Sequence, residues 1–338
     1  MPLLSFANND DIDALIKERI KKSAVNFFEQ DELIEITVKA DFKEIRADRD
    51  RATNEYHDAK VVIDNDPDAI EIPVKIKTRG NFRLKSENCD FPPLRFKFKT
   101  RNVINTIFEG QDKLKLVTHC RDTSAVMQEA MLREYLVYKM YNEISDNSLR
   151  VRLVKVRYLD VNYGEELNKY AFFIETVDQM AERIGAEEIN LANLKQDQLV
   201  EQSTTQLALF NYLIGNTDWS IPKVHNVALL RADRHMPPFA VPYDFDMSEF
   251  VDACYMDVYM GKELIENRYK GKKVPMETLE NVIDHYQEQK EDLVNLILGF
   301  DYLDLEARQQ CIQLLESFYQ VINNKQASRR AFIAEATK

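Results

Sequence analysis

Two short segments hold the side chains best suited to chemistry. The first is Leu213-Ile-Gly-Asn-Thr-Asp218-Trp-Ser-Ile-Pro-Lys-Val-His225-Asn226, which follows an apolar run containing Leu207, Leu209, Phe210 and Tyr212. The second is Ala240-Val-Pro-Tyr-Asp244-Phe-Asp246-Met-Ser248. Carboxylates at i and i+2 of an extended segment point the same way, while Phe245 turns to the core. Asp244 and Asp246 would then repel unless a cation or a hydrogen-bond network sits between them, and a divalent ion with oxygen ligands meets that need. Phosphoryl transfer to a hydroxyl calls for this set. One carboxylate takes the acceptor proton, an Asn and an Asp hold metal against the phosphates, and a Lys neutralises phosphate charge. Asp218, Asn226 and Asp244 fill the first three roles in chain order.

Ordinary protein kinases place the Asn about five residues after the Asp. Here it comes eight residues later, and neither H-R-D nor D-F-G occurs, so that class is excluded. The absence of G-x-S-x-G disfavours an α/β-hydrolase. A glycosidase pair of Asp218 and Asp244 would leave the basic residues described below without a role. His225 has two readings, a general base or a structural side chain beside the loop. Trp219, the only tryptophan, reads as a packing residue that fixes the loop.

The elements that must position these groups come in two styles. Residues 12–28 read as an amphipathic helix with Ile12, Leu15, Ile16, Ile20 and Val25 on one stripe. Strand-period alternation follows at Ile34, Ile36 and Val38, at Ile70, Ile72, Val74 and Ile76, and at Leu94, Phe96 and Phe98. A further short strand carries Leu114 and Leu116. The first 120 residues thus read as a meander of antiparallel strands, apolar on one face and basic on the other. Asp122-Thr-Ser caps a long helix over 124–144; strands follow at 151–159 and 169–176, then a helical region at 196–214. Short strands surround 225–230 and 239–243, and the chain is helical from residue 276 onward. This order gives an α+β layout in two lobes.

The full chain of 338 residues carries a net charge of −12, distributed unevenly. Residues 73–121 hold twelve Lys or Arg against four Asp or Glu, a local +8 in a remainder of −20. A basic segment in an acidic protein suggests an anionic small ligand and argues against general nucleic-acid binding. The alternative is a solvated strand face. The eight glycines form neither G-x-G-x-x-G nor a Walker loop, and no apolar run approaches membrane-spanning length. The four cysteines, Cys89, Cys120, Cys254 and Cys311, make no C-x-x-C and no zinc spacing. Cys89 and Cys120 could pair in an oxidising compartment or remain buried thiols. Ser5-Phe6-Ala7 after an apolar run reads as the remnant of a secretory signal, with an ordinary N-terminus as the alternative.

Gly215-Asn-Thr-Asp218-Trp-Ser with His225-Asn226, followed by Val241-Pro-Tyr-Asp244-Phe-Asp246, resembles the atypical kinases of the spore-coat-protein-H (CotH) type. Its Gly-Asn-Thr-Asp piece is also similar to the HipA toxin kinases. Upstream, Thr78-Arg79-Gly80-Asn81 resembles the CotH-type Arg-Gly-Asn element, and Leu94-Arg-Phe-Lys97-Phe its lysine-bearing strand. Leu132-Arg-Glu134-Tyr-Leu-Val-Tyr-Lys matches the helix whose Glu pairs with that Lys, and Tyr170-Ala-Phe-Phe-Ile-Glu175 the segment joining the lobes. The resemblance runs over about residues 74–255. It departs at Ser248-Glu249-Phe250, where the family has Ser-Gly, and at Phe82-Arg83, where it has Ser-Ser.

The resemblance implies a two-lobed protein-kinase-like fold of class α+β. An extension at 1–30 would precede an N-terminal antiparallel-sheet lobe with one long helix at 31–175, and a mainly helical lobe at 176–338. It implies Asp218 as the catalytic base and Asn226, Asp244 and, secondarily, Asp246 as ligands of Mg²⁺ or Mn²⁺. Lys97, Arg79, Glu134 and Glu175 would serve ATP binding. Residue by residue, Lys97 is alternatively a solvated strand lysine, Glu134 a helix-surface carboxylate and Arg79 a salt-bridge partner. Periodicity does not say which of Arg95, Lys97 and Lys99 enters a cleft. The expected activity is transfer of the γ-phosphate of ATP to a protein Ser/Thr hydroxyl, with a sugar or small molecule as the next acceptor. A catalytically silent binding module is the reading from another class. The expected partners are a nucleotide and a hydroxyl acceptor, with no nucleic acid and no membrane span. The expected compartment is periplasmic or extracellular, otherwise cytoplasmic.

Overall fold

The computed structural model describes residues 9–64, 70–253 and 269–334, with side chains from residue 14 onward. The expected signal remnant and Cys254 lie outside the described residues. Two compact units share the chain. One takes the residues up to Ser86, Pro92–Val117 and Arg152–Glu175; the other takes Glu87–Phe91, Thr118–Val151 and the residues from Thr176 onward.

The first unit begins with helix α1 (Asn9–Glu29), continues through β1 (Ile34–Ala40), α2 (Phe42–Ala47), β2 (His57–Ile63), β3 (Ile72–Thr78) and β4 (Leu94–Phe98), and then α3 (Thr100–Val103) and β5 (Lys113–Val117). After α4 (Ala125–Ile144), which belongs to the second unit, the chain returns as β6 (Val151–Asp160) and β7 (Glu166–Ile174). The seven strands close in the order β1-β2-β3-β4-β5-β7-β6. Neighbours from β1 to β5, and β5 with β7, are antiparallel. Closure comes from β1 lying parallel to β6, with Ile34 opposite Val154 and Ala40 opposite Asp160.

The expected two-lobed protein-kinase-like fold with an open antiparallel-sheet lobe is therefore incorrect; the sheet is a closed, mixed seven-stranded barrel. Local alternation correctly shows which strand side chains face inward, except at Ile70, which precedes β3 and is exposed. It carries no information about a pairing between segments more than a hundred residues apart, and that pairing removes the sheet edges. The interior is filled as a small barrel requires. Ile36, Val38, Val61, Ile76, Leu94, Phe96, Leu114, Leu116 and Val156 are fully enclosed.

Aromatic rings plug the barrel. Phe96 meets Phe173 edge-on at 5.6 Å, Phe98 stacks on Phe108 at 4.9 Å, and Phe27 from the end of α1 reaches Phe173 at 5.8 Å. Buried Arg152 lies 5.2 Å from the Phe27 ring and donates to the Phe27 carbonyl at 2.9 Å. The stripe expected on α1 is not its buried side: Leu15 is 63 % exposed, and the helix is anchored instead by Phe27 and Phe28. Gly110 lets α1 approach, because a Cβ there would come within 2.4 Å of the Ile20 carbonyl oxygen and 2.7 Å of the Ala24 nitrogen.

The second unit opens with α4, capped as expected by the Ser124 hydroxyl accepting from the Met127 N–H at 3.2 Å. Further along come α5 (Val177–Ile184), β8 (Glu187–Glu188), α6 (Glu201–Leu213), β9 (Val227–Arg231) and β10 (Phe239–Pro242). The three strands form a sheet in the order β10-β9-β8. Then follow α7 (Met276–Glu288), α8 (Lys290–Leu298), α9 (Leu305–Ile322) and α10 (Lys325–Arg329). Tyr138 of α4, Phe210 of α6 and Phe245 form one aromatic cluster, with Phe245 at 4.8 Å from Tyr138 and 5.7 Å from Phe210. In the same unit Cys89 and Cys120 are joined by a disulfide, and Phe91 and Cys120 make an isolated antiparallel bridge beside it.

Candidate functional site

The two chemistry-bearing segments meet within the second unit. Apolar α6 buries Leu207, Phe210 and Leu213 and so delivers its C-terminal end into the core. There Gly215 turns the chain with φ +66°. Asn216, buried, donates from its amide to the Asn211 side chain at 2.8 Å and accepts the Asp218 N–H at 2.9 Å. An antiparallel bridge between Ser220 and His225 closes the following turn and brings residue 226 back beside residue 218. The Asn226 carboxamide then donates to the Asp218 carbonyl at 2.8 Å and to its Oδ2 at 3.0 Å, while His225 Nε2 lies 2.9 Å from Oδ1. Both oxygens of Asp218 are thus engaged by the two residues that immediately precede β9.

The second segment is tied to the first by backbone. Pro242 pairs with Val227 at the end of the β9–β10 ladder, and one step further the Tyr243 N–H donates to the Asn226 carbonyl at 3.0 Å. Asp244 follows in the left-handed region at φ +62°, its N–H donating to the Tyr138 hydroxyl at 2.8 Å. The Glu249 and Phe250 N–H groups donate back to the Gly215 and Ile214 carbonyls at 3.4 and 3.1 Å, and Asn216 bridges Ser248. Asp218, Asn226 and the loop bearing Asp244 are therefore one hydrogen-bonded unit.

The extended geometry expected to align Asp244 and Asp246 is absent. The segment leaves the strand at Pro242, and the left-handed Asp244 breaks the two-residue alternation on which the expectation rested. Asp244 is exposed, whereas Asp246 is only 7 % exposed. Phe245 does turn into the core, as expected. Among the described residues no three or more His, Cys, Asp or Glu side chains group as a metal-ligand set. Asn226 is 9 % exposed, and its backbone carbonyl accepts from the residue before Asp244. Mg²⁺ commonly takes one or two protein carboxylates and completes its shell with waters and substrate phosphates. The side-chain oxygens of Asp244 and Asn226 are of the kind such an ion takes.

Local charge follows the same geometry. Burial, helped by Asp244 and Glu188, pushes the Tyr243 phenol above its ordinary range. Burial lowers Lys270, against an opposing pull from Asp218.

The remaining expected site residues lie elsewhere. Lys97, Arg79 and Glu175 belong to the barrel unit and Glu134 to the second unit. Glu134 is 1 % exposed on the buried side of α4, so it is not a surface carboxylate; Glu175 is buried as well. Arg79 is held by its N–H on the Pro93 carbonyl at 2.9 Å, just before Gly80 at φ +108°. Lys97 stands on the outer face of the barrel, directly between Lys75 and Lys113, with Lys77, Arg95 and Lys115 as the adjoining row. Six cations thus form a grid on three strands. Lys75 is paired with Asp58 at 2.8 Å, and Lys97 lies 5.7 Å from the Tyr56 ring. Like charges directly opposite one another destabilise a sheet unless an anion intervenes.

Two contributors went unnoticed in the sequence. Tyr138, one turn after Glu134 on α4, had a readable signal in the i, i+4 spacing. Lys270 had none, since it lies 52 residues beyond Asp218 in a stretch without periodicity.

The sequence matches no protein-family model and no curated relative. No helix among the described residues is long and apolar enough to cross a membrane.

Proposed function

We propose that this protein is a phosphotransferase that uses a divalent metal to move the γ-phosphate of ATP to a hydroxyl. A Ser or Thr of a protein is the first acceptor class, a sugar or small molecule the next. The observation that carries the reading is the single hydrogen-bonded unit of Asp218, Asn226 and the Asp244 loop. The loop residues are those of the CotH-like kinases they resemble; the closed barrel is not part of that likeness.

In this reading Asp218 accepts the proton of the acceptor hydroxyl as its oxygen attacks the γ-phosphorus. The bond from that phosphorus to the β,γ-bridging oxygen breaks, and ADP leaves with the electron pair. His225 and Asn226 hold the carboxylate in one direction. Asn226 and Asp244, with Asp246 behind, are the residues that would hold Mg²⁺ or Mn²⁺, which neutralises phosphate charge when bound. Lys97 and Arg79 are the proposed phosphate-binding cations, with Glu134 and Glu175 as supporting carboxylates. The Cys89–Cys120 bond supports a periplasmic or extracellular setting.

The test is incubation with labelled ATP and Mg²⁺ or Mn²⁺ alongside Asp218→Ala and Asp244→Ala. Label transfer or ATP hydrolysis by the wild type, lost in both variants, is expected. If no turnover occurs and no nucleotide raises the melting temperature, the reading fails. Stabilisation without turnover replaces the enzyme by a nucleotide-binding module.

A further inference from the structure

Lys270 grips the Asp218 loop from a segment 52 residues further along the chain. Its Nζ donates to the carbonyl oxygens of Thr217 and Trp219, both at 2.8 Å. One ammonium thus bonds the carbonyls of the two residues on either side of Asp218, while the Asp218 carbonyl between them is held by Asn226. It also lies 5.7 Å from the centroid of the buried Trp219 ring.

The segment carrying Lys270 is itself firmly anchored. The Gln196 carboxamide donates to the Lys270 carbonyl and accepts the Lys272 N–H, each at 2.8 Å. Lys272 Nζ reaches Glu201 at 3.3 Å. Tyr269 is buried against Tyr212 and Phe332. Gly271 leaves no room for a side chain, because a Cβ would come within 2.3 Å of the Tyr269 ring and 2.8 Å of the Ala208 methyl. A long, flexible lysine therefore starts from a fixed base, and its head is bonded to the carbonyls of the two residues next to Asp218. Placing a lysine ammonium in a half-buried position costs solvation, and a loop that needed only to be closed would be served by water or an Asn.

We propose that Lys270 is a positioning residue for Asp218: by fixing the 217–218 peptide plane before it and the 219–220 plane one residue beyond, the ammonium sets the aim of the carboxylate and keeps a positive charge beside it. The inference rests on the phosphotransferase reading for its catalytic consequence, but not for the clamp itself. His225 and Asn226 orient the side chain; Lys270 orients the backbone from which it projects. Removing the ammonium leaves two loop carbonyls without their donor and lets the peptide units rotate. Misplacing a catalytic group by about 1 Å costs about 100-fold in rate.

The test compares wild type, Lys270→Met and Lys270→Arg in amide hydrogen exchange, nucleotide–metal affinity and phosphoryl transfer. For Lys270→Met, exchange over residues 216–220 should quicken about tenfold while the β4 amides keep their rates. Its kcat should fall about 100-fold with the nucleotide Kd unchanged, and Lys270→Arg should restore most of both. Exchange and kcat within about twofold of wild type in Lys270→Met would overturn the proposal. So would a matched loss of kcat, nucleotide affinity and β4 protection, which marks a general structural role. If the wild type neither binds nor turns over ATP yet Lys270→Met still quickens exchange in the loop, the clamp stands and the phosphotransferase reading falls.

Discussion

The imidazole of His225 reaches Asp218 Oδ1 at 2.9 Å across a turn that the Ser220–His225 bridge closes. His225 is exposed and Asp218 half-buried, so the pair is open to solvent. In the proposed phosphotransferase, a histidine bonded to the Asp218 carboxylate would restrict its rotation without replacing it as base. His225→Ala should therefore lower kcat by about tenfold and leave nucleotide affinity unchanged, while Asp218→Ala should lower kcat by about 1,000-fold or more. Steady-state rates with nucleotide titrations check both. Equal losses in the two variants would show that His225 is itself the base.

Gly215 should be close to irreplaceable. Its φ of +66° is strained for any other residue, and a Cβ would come within 2.8 Å of Glu249 Cβ and 2.7 Å of its carboxylate. Gly215→Ala should destabilise the second unit by about 1–3 kcal/mol in denaturant unfolding. Glu249→Ala in the same chain should return the part of the steric cost owed to the carboxylate and leave the Cβ contact and the backbone part. If the double variant is no more stable than Gly215→Ala, the carboxylate's share is absent.

Particular elements show what the sequence could and could not disclose. Strand β4 was readable because Leu94, Phe96 and Phe98 enter a packed interior while Arg95 and Lys97 do not. The cap of α4 was readable because Ser124 answers a purely local need. The Asp218 loop was readable from its residue types. Strand β2 was not, since it lies between a polar stretch and residues 65–69 and carries Val61-Val62-Ile63, which blurs the alternation. The parallel β1–β6 contact and the Lys270 clamp depend on distant segments that no local pattern marks. The exposure of Leu15 and Ile16 shows the converse error, an apolar stripe taken for a packing face.

The disulfide offers a measurement independent of chemistry. Cys89 and Cys120 are 31 residues apart, and closing a loop of that length removes unfolded-state entropy worth about 4 kcal/mol. Cys89→Ser with Cys120→Ser should lower unfolding stability by about that amount, and wild type in strong reductant should fall toward the variant. Coincident unfolding curves with and without reductant would mean that the bond does not form in the protein tested.

Glu71 supplies a pH signature. Hydrogen bonds from Lys39 at 2.8 Å and from Lys60 at 2.5 Å hold its carboxyl well below the ordinary range, at about 2. A carboxyl whose folded pKa lies below its unfolded pKa contributes stability above the unfolded value and loses it as pH falls through the folded one. The stability gap between wild type and Glu71→Gln should therefore be full above about pH 4.5 and vanish toward pH 2. Unfolding midpoints across that window, repeated at high salt to screen the exposed charges, measure it. A gap that does not change with pH would remove Glu71 as its source.

The parallel contact between β1 and β6 also sets a timetable for synthesis. Strand β1 ends at Ala40, but its second partner is not complete until Asp160 has left the ribosome. At about 5–20 residues per second, that wait is on the order of 10 s. Throughout it, one side of β1 offers unpaired amides and carbonyls while β2 to β5 are already able to zip along the other. The newborn chain therefore passes through a stage as an open, sticky ribbon, and a chaperone that shields a bare strand edge would act on β1 before any other part of the molecule.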